Sequence, residues 1–121
     1  MKRKLSLSII LISFILVSCA YNASLVQTSY KALVVSQTSY DTSMKSAVDL
    51  YKRGIFGEEV KMKILNAADI YHKAHNVAVE ALAKYEETRS SIDADLLEKQ
   101  INLTSEALVN LLTIIRPYLE K

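Results

Sequence analysis

Through most of the chain, apolar and bulky residues recur every three or four positions, in three long blocks separated by two short interruptions. That period puts them on one face of an α-helix, and the shortage of turn residues leaves little room for strands. The first block, about 25–53, carries Val26, Tyr30, Leu33, Gln37, Tyr40, Met44, Ala47 and Tyr51 on one stripe. Gln37 is its flaw, and Val34 and Val48 broaden the face elsewhere. The second block, about 58–88, is the most regular: Val60, Ile64, Ala67, Tyr71, Ala74, Ala78, Ala81 and Tyr85, widened by Leu65, Ala68 and Leu82. Alanine-rich spacing of this kind predicts close approach of neighbouring backbones, with Tyr71 and Tyr85 filling space between the alanine layers. The third block, about 92–117, has Ala94, Leu97, Ile101, Thr104, Leu108, Leu111, Ile115 and Tyr118 on one face. Leu96, Leu103, Leu112, Ile114 and Leu119 make that face wider than one seam needs. It is expected to sit in the groove between the first two helices or to support an oligomer.

The interruptions specify how the blocks connect. Gly54-Ile55-Phe56-Gly57-Glu58-Glu59 reads as a helix stop, a tight turn and a helix start. Gly54 supplies the left-handed residue after a helix end, Ile55 folds back on the last turn, and Glu58 and Glu59 favour the positive end of the next helix. So short a connection makes the two helices antiparallel. Ser90-Ser91 followed by Asp93 and Asp95 marks the second stop and start, because serine caps a helix and aspartate favours its first turn. The expected fold is all-α, an antiparallel up-down-up bundle of three helices, each roughly 40 to 45 Å long.

Upstream of the bundle the pattern changes. Met1-Lys2-Arg3-Lys4 is a positive segment, and Leu5 to Val17 is an apolar run of 13 residues broken only by Ser6, Ser8 and Ser13. A bilayer-spanning helix needs about 20 apolar residues, so this run has the length of an export signal's core. Leu16-Val17-Ser18-Cys19 follows directly. This arrangement resembles the lipobox of bacterial lipoprotein precursors: an aliphatic residue three positions before a cysteine, with small residues between. The resemblance implies that Cys19 receives a diacylglyceryl group through a thioether and that residues 1–18 are cleaved off. Residues 19–24 then form a lipidated tether and 25–121 the bundle. It further implies a bilayer partner reached through the Cys19 anchor, and in a two-membrane bacterium Ala20 after the cysteine resembles proteins sent to the outer membrane, facing the periplasm.

Removing the signal changes the meaning of the charge. The whole chain has 15 Lys and Arg against 13 Asp and Glu, but Lys2, Arg3 and Lys4 leave with residues 1–18, so 12 face 13 in the remaining 103 residues. No basic stripe is left to argue for nucleic acid. Lipidation also accounts for the single cysteine, which in an exported chain otherwise needs a disulfide partner or a reactive role.

Candidate chemistry is sparse. Asp69, His72 and His75 lie three apart on the second helix and form the one cluster that could hold a metal, since neighbours at that spacing can share an ion. A bundle metal site draws ligands from facing helices, however, and no second such motif exists. Asp69 and His72 are therefore expected to be solvated and His75 to border the core, with no metal and no other cofactor. Six tyrosines at seam positions read as core, provided each hydroxyl reaches solvent or a partner. There is no phosphate-binding glycine loop, no nucleophile elbow and no loop long enough to build a cleft, so no enzymatic chemistry is expected. The sequence thus points to a membrane-tethered helical module that binds an envelope protein or itself. Two rivals remain: a regulatory or exclusion lipoprotein, of the kind phages encode, that blocks an envelope component, and a metal or small-ligand binder using the Asp69-His72-His75 edge.

Overall fold

The computed structural model describes residues 22–120 of the chain. The expected signal segment 1–18, Cys19 and the first part of the tether lie outside the described residues. Three long helices follow one another: α1 (Asn22–Lys52), α2 (Glu58–Thr88) and α3 (Ser91–Leu119). They form the expected all-α three-helix bundle. α1 begins at Asn22, inside the stretch expected to be tether. α3 runs two residues past the expected end because Pro117 falls in its last turn, where it forfeits one hydrogen bond next to solvent. No described helix is long and apolar enough to cross a membrane.

The α1–α2 turn is built as its residues require. Gly54 takes φ +74°, its N–H donates to the Tyr51 carbonyl at 3.0 Å, and the Ile55 N–H donates to the Leu50 carbonyl at 3.0 Å. This pair of bonds is a Schellman closure, and it returns Ile55 to the apolar surface it has just left. Phe56 is buried beyond it, its ring 6.0 Å from Tyr51 and 5.3 Å from Tyr118 of α3, so the turn is pinned by packing as well. Outside, the Tyr51 hydroxyl donates to Glu58, whose other oxygen is 3.6 Å from the Lys61 ammonium, and Lys61 also lies over the Tyr51 ring.

The α2–α3 turn works differently. With no glycine available, Arg89 itself takes the left-handed conformation at φ 54°, its N–H closing on the Tyr85 carbonyl at 2.8 Å and its guanidinium resting over the Tyr85 ring. Ser90 caps α3: its hydroxyl oxygen accepts from the Asp93 N–H at 3.1 Å. The Asp93 carboxylate, nearly buried, in turn accepts from the Ser90 and Thr88 hydroxyls.

Two apolar clusters make the core. One, toward the α1–α2 turn, joins Tyr40, Ala47, Leu50, Phe56, Ile64, Ala68, Tyr71, Ala107, Leu111 and Ile115. The other joins Leu33, Ala78, Leu82, Tyr85 and Leu97. The α2 stripe packs as expected, with Ile64, Tyr71, Ala78 and Tyr85 buried. On α3, Leu97, Thr104, Leu111 and Ile115 are buried, and the Thr104 hydroxyl satisfies itself on the Gln100 carbonyl at 2.8 Å. The α1 stripe needs correction. Tyr30, placed in the seam, is 62% exposed, while Ser29 and Ser36 are buried in its stead beside Leu33, Tyr40, Ala47 and Leu50. α2 and α3 are the most extensively packed pair, and α1 lies more against α3 than against α2. That position turns the edge of the expected α1 stripe toward a groove between α1 and α2.

Candidate functional site

Along the α1–α2 boundary the two core clusters meet at a band of rings and polar atoms. Tyr40 of α1 and Tyr71 of α2 stack with centroids 4.7 Å apart and planes 13° from parallel. His72 stands edge-on to Tyr40, also at 4.7 Å, and His75 lies 5.6 Å from Tyr71. Tyr71 is fully buried, and its hydroxyl is 2.8 Å from Ser36 Oγ, the partner that lets a phenol sit in the core. Burial pushes the Tyr71 phenol above its ordinary pKa, with the Ser36 hydrogen bond opposing; burial and the nearby Asp41 carboxylate push Tyr40 in the same upward direction.

The sequence cluster Asp69, His72 and His75 does not converge. Asp69 is exposed and pairs with Lys73 at 2.9 Å. His72 is exposed with its ring against Tyr40, and His75 is half-buried with Nε2 3.4 Å from the Leu33 carbonyl. Each of the three faces a different partner. Among the described residues no group of three or more His, Cys, Asp and Glu side chains is placed to hold a metal ion.

On the outer side of this band runs the α1–α2 groove. Near the turn it is lined by Met44, Ala47, Val48, Tyr51, Phe56, Ile64 and Leu65, with Lys52 and Lys61 at its margins. Near the other end Tyr30, Leu33, Val34, Gln37, His75, Val79 and Leu82 line it. The turn-proximal cleft holds about 210 Å³. The other end holds about 310 Å³, so the two lie at or below the foot of the roughly 300 to 1,000 Å³ range of small-molecule pockets, and the walls are rows of mainly apolar side chains from two helices, the shape that receives a helix.

No known protein family, curated protein or solved structure matches the chain. The sequence pattern hides the groove because Tyr30 and Met44 fall on the seam stripe of α1 and Val34 and Val48 on its flank. The signal was there in Val34 and Val48, which sit off the stripe yet share a side of α1 with Tyr30.

Proposed function

We propose that this chain is a lipid-anchored protein of the bacterial cell envelope, and that its helical body is a non-enzymatic module for protein interaction. The observation that carries the reading is the ordered set at the N-terminus: the basic start Lys2-Arg3-Lys4, the apolar run from Leu5 to Val17, and Leu16-Val17-Ser18-Cys19. Transfer of a diacylglyceryl group to the Cys19 sulfur, then cleavage of the Ser18–Cys19 peptide bond, would leave two acyl chains on the new N-terminal residue. A single acyl chain binds a bilayer only marginally, whereas two signals give stable anchoring, so palmitate-type chains at Cys19 suffice for a lasting tether. α1 begins at Asn22, so the folded body follows the anchor almost at once. A groove with the shape of a helix site, lined mainly by apolar side chains of α1 and α2, supports binding as the activity.

Metabolic labelling with an alkynyl fatty acid tests the anchor. The natural chain is expected to be labelled, to fractionate with membranes and to begin at Cys19 by mass spectrometry. Cys19→Ala is expected to be unlabelled and to keep residues 1–18. An unlabelled chain intact from Met1 to Lys121 in cells carrying the natural sequence would sink the reading.

A further inference from the structure

Charge is distributed unevenly along α1. From Asn22 to Tyr40 the only charged residue is Lys31, whereas Asp41, Lys45, Asp49 and Lys52 follow every three or four positions to the end of the helix. The uncharged half is nevertheless open on its outward face, where Gln27, Tyr30, Lys31, Val34, Val35 and Thr38 are exposed, Tyr30 by 62% and Val35 by 63%. Tyr30 and Val34 edge the α1–α2 groove, while Val35 stands about 100° further round the helix, outside it.

Covalent geometry limits where that face can be. Once residues 1–18 are removed, only Cys19, Ala20 and Tyr21 precede α1. A chain extends at most about 3.6 Å per residue and a helix rises about 1.5 Å, so the start of α1 lies within about 11 Å of the acylated residue, and Tyr30 and Val35 within about 23 and 30 Å. With its acyl chains in the hydrocarbon, Cys19 sits at the headgroup layer, itself roughly 5 to 8 Å deep. From there α1 can stand upright on the membrane or lie along it. Upright, it would press the α2–α3 turn into the headgroups, because Leu25 and Val26 pack in one cluster with Tyr85 and Ala94 and so place that turn at the anchor's end. The turn and its flanks expose Lys84, Glu86, Glu87, Arg89 and Asp95 close together. Lying down, α1 offers a face with one charge instead.

We propose that the first half of α1, from Asn22 to Thr38, lies along the headgroup layer of the membrane that holds the Cys19 anchor, an inference that rests on the anchor reading above. Tyr30 suits that depth because its ring is apolar and its hydroxyl polar. Val34 and Val35 enter the boundary with the acyl chains, and Lys31, on the same face, extends its ammonium toward the phosphates on an apolar stem. No described helix is long and apolar enough to cross a membrane, so the contact is with the surface. Glu86, which helical geometry sets on the groove side of α2 near the start of α1, limits how far the Tyr30 edge sinks. The charges from Asp41 onward end the contact, and the bundle leans with its α1–α2 turn lifted away.

The chain contains no tryptophan, so one placed at a chosen position reports alone. Tyr30→Trp, Val35→Trp and, on an exposed site of α3, Val109→Trp are made in the full-length chain, and the processed proteins are reconstituted into phosphatidylcholine vesicles with and without brominated acyl chains. The first two tryptophans are expected to emit at shorter wavelength on reconstitution and to be quenched by the brominated lipid several-fold more than the third. Adding Val34→Asp and Val35→Asp to Tyr30→Trp is expected to abolish the shift while the chain still floats with the vesicles, and circular dichroism checks that each variant is folded. In floating vesicles, first and second tryptophans as open to aqueous acrylamide as the third overturn the proposal, as does a shift that survives the two aspartates. Shielding from acrylamide without quenching by bromine also overturns it, because protein would then cover the face. A chain that does not float fails at the anchor reading, and this inference falls with it.

Discussion

The Tyr71 hydroxyl of α2 and the Ser36 hydroxyl of α1 lie 2.8 Å apart inside the bundle, and this bond lets the Tyr71 phenol sit fully buried. About two turns away on the same buried side of α1, the Ser29 hydroxyl has no hydrogen-bond partner among the described residues. The same substitution should then have opposite signs at the two serines. Ser36→Ala strands the phenol of Tyr71 and should cost about 1 to 3 kcal/mol, whereas Ser29→Ala removes an unpaired buried hydroxyl and should raise Tm. Adding Tyr71→Phe to Ser36→Ala should recover most of the loss, and a double-mutant cycle by urea denaturation reads the coupling. A lower Tm for Ser29→Ala would show that its hydroxyl has a partner in solution.

The alanine seam sets how near α2 approaches its neighbours. Ala78 is fully buried, while Ala83, five residues on, is exposed. Ala78→Leu should destabilise by about 1 to 3 kcal/mol through overpacking, and Ala83→Leu should be nearly neutral. Equal effects in chemical denaturation would mean that α2 is rotated from the orientation described.

Gly54 tests the first turn. A Cβ there would meet nothing within 4 Å, so Gly54→Ala carries no clash, and its cost is the strain of a side chain at φ +74°. That strain is about 1 kcal/mol or slightly more. A rise in Tm would instead favour one continuous helix through this point, since alanine in a helical backbone gains by restricting the unfolded chain. Arg89 is the converse case, with a side chain already at φ 54°. Arg89→Gly should gain from the relaxed backbone but lose the guanidinium's contact with Tyr85, and should change Tm less than Gly54→Ala.

The α3 cap makes stability depend on acid. Hydrogen bonds from Thr88 and then Ser90 hold the Asp93 carboxyl below its ordinary value of 3.8, and the Tyr51 hydroxyl with Lys61 holds Glu58 below 4.5. A carboxyl whose folded pKa is depressed contributes stability that is whole above its unfolded pKa and is lost as pH falls through the folded one. Tm should therefore hold steady to about pH 5 and fall progressively below pH 4, and Asp93→Asn should flatten that decline while lowering Tm near neutrality. A natural chain whose Tm is unchanged between about pH 5 and pH 2 would show that these bonds do not survive in solution.

Local chemistry made much of the bundle legible. Gly54 before Ile55, Glu58-Glu59 after Gly57 and Ser90 before Asp93 each specify a helix end through bonds spanning a few residues, and the structure places those ends there. The α2 stripe was equally plain, because an unbroken row with alanines at half its positions has only one face to bury. The Arg89 turn gave no such signal, since glycine, the residue that normally marks a left-handed position, is missing from it.

Other features were decided only by the tertiary arrangement. The rotation of α1 about its own axis could not be read from its period, because two neighbouring stripes, one through Tyr30 and Met44 and one through Ser29 and Ser36, share Leu33, Tyr40 and Ala47. Which stripe is buried depends on where the other helices stand. α1 packs more on α3 than on α2, so the serines turn inward, where Tyr71 satisfies one of them, and Tyr30, Val34 and Val48 turn toward the groove. The Asp69-His72-His75 row was visible as a row, but whether it could share an ion depended on what faced it, and Lys73, Tyr40 and the Leu33 carbonyl each take one member. A helix end is governed by bonds within its own turn, which the sequence carries; a helix face is chosen by its neighbours, whose positions exist only once the whole bundle has packed.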